Sequence, residues 1–274
     1  MTESRRFSFG ENSVATSYDS VLVPVLFEPW ANRLVRDYSH WEGQHVLDLA
    51  TGTGIVAYLL SEQVGPGGRV IGTDINGEML SLARKRCADA IAQMEFVESP
   101  AHPLDVSDEE VNVVVCQQGF QFFPDKAAAA NEIYRVLQQD GHVIASTWCP
   151  VSECEFFQCI CGALESIDEN RIADLMRVPF DFMPQLELSS SFDSAGFVNV
   201  EIMRQDQDLV FSGGVAHAIQ AAYSTPIAPN LRGLPENRQA SFKRRMTELL
   251  NELNDDGLTM GKMISNVLYA EKRT

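Results

Sequence analysis

The 274-residue chain has a mass of 30.4 kDa, with 45% hydrophobic residues, 22% charged residues and a formal net charge of −17. That length suits one large domain with a sizeable core, and the hydrophobic content excludes a disordered solvating chain. The 38 acids against 21 Lys and Arg exclude nucleic acid and anionic lipid as the main partner, because such binding relies on basic side chains. No apolar run reaches the ~20 residues that span a bilayer; the longest, Leu47 to Leu60, is broken by Asp48 and two glycines. Arg5 and Arg6 near the start are not followed by an apolar h-region, so a cytoplasmic chain is expected. The six cysteines then read as reduced thiols.

In chain order, residues 11–38 place Val21, Leu22, Val25, Leu26, Leu34 and Val35 at helical spacing, with Pro24 and Pro29 kinking or breaking the run. His45 to Leu49 is a short apolar strand that runs into Ala50-Thr51-Gly52-Thr53-Gly54 and a helix from Ile55 to Val64. Gly65-Pro66-Gly67-Gly68 stops that helix. Arg69 to Thr73 is the next strand, ending at Asp74, and Glu78 to Ala92 the next helix. Strands at Glu95 to Glu98 and Val111 to Cys116, a helix from Lys126 to Leu137, a turn at Asp140-Gly141 and a strand from His142 to Thr147 follow. Val- and Ile-rich strands alternating with helices imply βαβ units and a buried parallel sheet. Beyond Pro150 the rhythm changes: a helix from Glu153 to Ile167, strands at Val198 to Gln205 and Met263 to Ala270, and a helical block at 213–255. In its last helix Phe242, Met246, Leu249, Leu250 and Leu253 share a face.

The informative constellation is strand, Asp48-Leu49-Ala50-Thr51-Gly52-Thr53-Gly54, helix, strand, Asp74. Glycines let the backbone pass close to a ligand and turn into a helix whose free N–H groups attract polar groups. An acid about twenty residues beyond such a loop suits the paired hydroxyls of a ribose. Two cofactors meet these conditions. Gly52-x-Gly54-x-x-Ala57 satisfies the dinucleotide fingerprint, with Asp74 at the spacing NAD requires. Asp48, however, sits badly beside a pyrophosphate and suits the cationic end of an amino acid.

Val46 to Gly54 resembles motif I of class I S-adenosylmethionine-dependent methyltransferases, and Val70 to Leu80 resembles the motif that follows it. Cys116-Gln117-Gln118-Gly119-Phe120-Gln121-Phe122-Phe123-Pro124-Asp125 resembles the motif after strand four of the UbiE-like, or type 11, small-molecule branch. Tyr134-Arg135-Val136-Leu137 with Asp140-Gly141 resembles its R-V-L-x-P-G-G turn. The four stand in family order over roughly residues 14–150. The resemblance implies an α/β fold, Rossmann-like, with a seven-stranded, mostly parallel sheet, helices on both faces and an antiparallel last strand.

Carried over, the resemblance implies that Asp48 holds the methionine ammonium of S-adenosyl-L-methionine, with the backbone of Ala50, Thr51, Gly52 and Gly54 around it. Asp74 would hold the ribose, Ile75 and Met79 flank the purine, and Gln117 lies beneath the methionine portion. Tyr18 matches a family tyrosine that closes over the cofactor, or else packs the lid. Pro100, followed by Ala101, stands where the family has an Asp that meets the adenine amino group, leaving Ser99 as the substitute contact. Asn112 replaces an Asp, and Gln139-Asp140-Gly141 replaces Pro-Gly-Gly. S-adenosyl-L-homocysteine would be the product.

The acceptor is less legible. Methyl transfer from a sulfonium relies on alignment, and a base is needed only for hydroxyl or carbon acceptors. His102 and His217 are the base candidates, with surface or packing roles as the alternative. Phe7, Phe9, Tyr18, Phe27, Trp30, Phe120, Phe122, Trp148, Phe156, Phe157, Phe182 and Tyr223 either line an apolar pocket or pack the lid helices. Cys149, Cys154, Cys159 and Cys161 miss the paired spacing of a zinc site, so no metal is expected. Lys243-Arg244-Arg245 reads as a solvated helix face.

The expectation is therefore one methyltransferase domain over 1–274. It comprises N-terminal lid helices at 11–38, a cofactor-binding core at 44–150, substrate-side insertions at 151–190 and 213–255, and a last strand at 263–271. It would methylate a small apolar or aromatic molecule in secondary or cofactor metabolism, with a homodimer left open. The rivals are an S-adenosylmethionine-binding regulatory protein and an NAD-dependent oxidoreductase, whose hydride-transfer residues are not visible. Residues 151–210 hold twelve acids against three arginines, −9 of the −17, so acidity gathers beyond the cofactor half.

Overall fold

The computed structural model describes residues 12–180, 184–253 and 256–273; Phe7, Phe9 and Phe182 lie outside the described residues. The first half of the chain runs α1 (Asn12–Ser17), a wide π-helical stretch (Tyr18–Phe27), α2 (Glu28–Asp37), β1 (His45–Leu49), α3 (Ile55–Val64), β2 (Arg69–Asp74) and α4 (Gly77–Arg86). It continues with β3 (Gln93–Glu98), β4 (Val111–Gln117), α5 (Lys126–Val136), β5 (Leu137–Trp148), α6 (Glu155–Glu165) and α7 (Asn170–Arg177). The remainder is α8 (Gln185–Ala195), β6 (Val198–Val210), α9 (Gly214–Ala222), α10 (Ala228–Gly233), α11 (Glu236–Glu252) and β7 (Thr259–Glu271). These fall into two compact units: 27–148, 184–205 and 265–273 form one, and 12–26, 149–180, 206–253 and 256–264 the other.

One seven-stranded sheet has the order 3-2-1-4-5-7-6. β1 pairs in parallel with β2 and β4, β2 with β3, and β4 with β5, while β7 runs antiparallel to β5. The order reverses at β1, whose neighbours are β2 and β4; crevices outside the carboxyl ends of strands at such a point bind ligands. The central strands are apolar because they are covered on both faces: Val111, Val113, Val114, Val115 and Cys116 of β4 are all buried. α5 and α8 pack together on Leu47, Leu49, Val114 and Cys116.

In the other unit α11 packs on α6 and α9, and buries Phe242, Met246 and Leu250; Leu249 and Leu253 stay partly exposed. Phe156 touches the rings of Phe157 and Phe211, and Phe157 that of Phe180.

The number of strands, their mostly parallel direction with an antiparallel last strand, and most boundaries follow the expectation, with instructive exceptions. Pro29 opens α2 at a position where a missing N–H costs nothing, and Pro24 lies inside the π-helical stretch. α4 ends at Arg86, not Ala92, because Ala90 N–H turns back to the Cys87 carbonyl to feed β3. The expected turn at Asp140-Gly141 is a bulge inside β5: pairing passes from Val111↔Leu137 to Val113↔His142, with Asp140 at φ +58°. β6 extends to Val210 through Asp206 and Asp208, and β7 reaches back to Thr259 through Gly261 and Lys262, none of which reads as strand.

Arg135, in the R-V-L segment, anchors the connection between β3 and β4. Its guanidinium donates to the carbonyls of Leu104 (3.0 Å) and Val106 (2.8 Å), and to Asp108 (2.6 Å) and Glu132 (2.8 Å). Glu132 in turn accepts the Leu104 N–H at 2.7 Å. Arg135→Met should cost about 1–3 kcal/mol, because two buried carbonyls lose their donors. A urea titration checks this; an unchanged midpoint would show that the connection is held by other contacts.

Candidate functional site

The chain leaves β1 through an unusual backbone. Ala50 (φ +61°), Gly52 (φ +56°) and Gly54 (φ +81°) all adopt left-handed conformations, and Gly54 caps α3. The two glycines have different reasons. A Cβ on Gly54 would stand 2.8 Å from that of Ala83, so this glycine permits α3 and α4 to approach; a Cβ on Gly52 would meet nothing within 4 Å. Gly52 therefore borders open space, where a ligand can reach the backbone. Ala50 carries left-handed strain of about 1 kcal/mol, and a Cβ on Gly119 would meet its Cβ at 2.7 Å.

Asp48 is buried under this loop. Its Oδ2 accepts the Thr51 hydroxyl at 2.6 Å and the Ala57 N–H at 3.0 Å, which ties the end of β1 to the first turn of α3. Desolvation pushes its carboxyl up to about 7; the two hydrogen bonds oppose the shift and the charge of Asp74 adds to it.

Asp74 closes the other side. Its Oδ2 accepts the Gly52 N–H at 3.0 Å and its Oδ1 the Asn76 N–H at 2.9 Å. Burial raises its pKa and these backbone bonds oppose the rise. Thr51 N–H donates to the Thr73 carbonyl at 2.9 Å, pinning the loop to β2. Asn76, not singled out from sequence, caps α4 by accepting the N–H groups of Glu78 and Met79. Its signal was an Asn just before a helical run.

The structure thus brings together Asp48, Thr51, Gly52, Gly54 and Asp74, with Ala50 between them. Ile75 is beside Asp74 and 73% exposed, whereas Met79 is buried. Pro100 is exposed, and Ala101 packs against the core cluster. The Ser99 hydroxyl donates to the Pro100 carbonyl and accepts the Asp105 N–H, so it serves its own loop. Gln117 donates from Nε2 to the Phe27 carbonyl at 3.0 Å, and its Oε1 is buried without a partner. Tyr18 and His217 belong to the other unit, where His217 stands edge-on to Phe211; His102 is exposed.

The aromatic residues divide. Trp30, Phe120, Trp148, Phe156 and Phe157 are buried, while Tyr18, Phe27, Phe122 and Tyr223 retain exposed surface. The cysteines are buried and form no disulfide, and Cys154 and Cys161 donate to backbone carbonyls. No group of three metal-ligating side chains occurs among the described residues.

Comparison with known proteins decides between the two cofactors. The model of the ubiE/COQ5 methyltransferase family matches residues 6–161, more than half of the chain. The chain belongs to this family. It is an S-adenosylmethionine-dependent methyltransferase acting on a small molecule, and the oxidoreductase reading falls away. A demethylmenaquinone methyltransferase from Staphylococcus carnosus is 29% identical over 217 residues, covering 74% of this chain and 87% of that protein. Two solved structures share the fold. The Haemonchus contortus phosphoethanolamine N-methyltransferase 2 bound to S-adenosylmethionine has a TM-score of 0.61 at 15% identity, over 100% of this chain and 61% of that one. The Bacillus subtilis YcgJ protein has a TM-score of 0.59 at 19% identity, over 89% and 98%.

The loop suits that cofactor on its own evidence. Gly52 faces open space, the Thr53 hydroxyl is buried without a partner, and the Asp74 carboxylate keeps lone-pair capacity beyond its backbone bonds.

Asp48 makes stability depend on pH. Its carboxyl titrates near 7 when folded against an ordinary 3.8, so between those values the folded chain holds the extra proton. Stability from this group is therefore lost as pH rises through that window. Relative to Asp48→Asn, the parent should lose up to about 4 kcal/mol between pH 4 and pH 8. Denaturant titrations of both chains across that range check it; parallel curves would refute the burial argument.

Proposed function

We propose that this enzyme methylates a small apolar acceptor of quinone type, and holds S-adenosylmethionine at the exit of β1. The observation that carries the cofactor site is the Asp74 carboxylate, fixed by Gly52 and Asn76 beside a glycine with open space at its Cβ position. In this reading Asp74 accepts the ribose hydroxyls, and the exposed Ile75 covers one face of the purine. Asp48 supplies negative charge toward the methionine ammonium through the loop that it braces. The bound cofactor supplies an electrophilic methyl group, which leaves the protein the tasks of alignment and water exclusion.

The acceptor class is supported by the menaquinone-type relative and by exposed aromatic surface at Phe27 and Phe122. Neither His102 nor His217 is assigned a proton-transfer step. Six buried cysteines that form no disulfide support a reducing, cytoplasmic setting. No helix among the described residues is long and apolar enough to cross a membrane.

The decisive assay incubates the full chain with S-adenosylmethionine and demethylmenaquinol, and reads S-adenosylhomocysteine together with a product one methyl heavier. Turnover of polar amines but not of the quinol would sink the acceptor class. Asp74→Ala should weaken cofactor binding about 10–100-fold, the worth of one or two charge-assisted hydrogen bonds. Unchanged affinity in a calorimetric titration would remove Asp74 from the site.

A further inference from the structure

A second recess lies away from the glycine loop, in the same unit. A cavity of about 460 Å³ opens over β5, β7 and β6, lined by Tyr38, His142, Asn199, Glu201, Tyr269 and Glu271. These strands stand two to four places across the sheet from β1, roughly 10–19 Å at the usual strand spacing. The volume is within the range of small-molecule sites. Nothing in the cofactor reading uses it.

Its chemistry is specific. The Tyr269 hydroxyl is buried without a hydrogen-bond partner, a costly state for a phenol. Glu201 has no hydrogen-bond or ion-pair partner among the described residues. The other nearby charges are satisfied. Glu271 pairs with Arg273 at 2.7 Å and accepts from Asn199 at 3.0 Å, and Asp37 pairs with Arg33 at 3.6 Å and Arg36 at 3.2 Å. Tyr38 and His142 meet edge to face, 5.7 Å between centroids, and form an aromatic wall. The recess therefore offers one unpaired carboxylate and aromatic surface, with an unpartnered hydroxyl buried in its wall.

We propose that this cavity is a second ligand site for a small organic ammonium ion, with its charge on Glu201 and the Tyr269 hydroxyl and its apolar body against Tyr38 and His142. A primary ammonium has hydrogens for both oxygens, and aromatic faces attract cations. An anion would meet Glu201 and the chain's net charge of −17, which disfavour it. A metal ion would lack ligands, since no three ligating side chains gather among the described residues. The site does not depend on the methyl-transfer reading, so either can fail alone.

The test titrates the full chain with 2-phenylethylamine, which is an ammonium ion at neutral pH, by calorimetry at low salt. Saturable binding with a Kd of about 1 mM is expected, typical of a ligand of this size. Glu201→Gln and Tyr269→Phe should each weaken it at least about fivefold, the loss of one charged or one hydrogen-bonded contact. 2-Phenylethanol and phenylacetate should bind at least about tenfold more weakly. S-adenosylmethionine affinity should not move in either variant. No saturable binding, equal binding of the alcohol, or undiminished binding by both variants would overturn the proposal. So would a change in cofactor affinity, which would mean that the effect passes through the fold. Should Tyr269→Phe fail to fold, Glu201→Gln decides alone, because that side chain is exposed.

Discussion

The geometry at the exit of β1 depends on one buried carboxylate. Asp48 gives up water for a hydroxyl and a backbone N–H from the segment that follows it, and so bends that segment over itself. A neutral side chain of the same shape could make similar bonds without the desolvation cost. The carboxylate is therefore poorly explained by stability and better explained by charge at that point. Strain at Ala50 has the same character: a left-handed alanine persists only where the surroundings over-determine the turn.

Local chemistry is what the sequence makes legible. The β1 strand, its glycine loop, α3, β2 and Asp74 are all encoded within thirty residues, and each boundary has a glycine, an acid or an apolar run to mark it. What depends on distant partners is hidden. Gln117 turns to a carbonyl 90 residues away, and nothing near Gln117 in the chain signals it. Ser99 looks free for a ligand until the loop folds back and Asp105 N–H takes its oxygen. The end of α4 follows the same rule: alanines favour helix, yet the chain must turn early enough for Gln93 to pair with Arg69.

Charge shows the same division. The acidity concentrated in 151–210 predicts a repulsive surface, but much of it is locally matched. Arg177 binds Glu165 and Asp174, Arg238 binds Glu169, and Lys262 of β7 reaches Asp206 of β6 at 2.7 Å. That last contact lets a charged stretch extend as strand, with the ion pair in place of the apolar alternation that normally marks one. Net charge is thus a weak guide to where a ligand binds. An unmatched carboxylate is a better one, and Glu201 stands out because its neighbours are satisfied.

In the proposed cofactor site, the carboxylates around the glycine loop would fix the geometry before a ligand arrives. Asp74 already holds two backbone N–H groups, and Thr51 is already bonded to β2. Their remaining lone pairs are aimed by the protein, not by the cofactor, so binding need not order the loop. Less conformational entropy is lost on association, and more of the contact energy appears as affinity. The same rigidity serves methyl transfer, where a fixed donor position is the main thing a protein can add to an already reactive group.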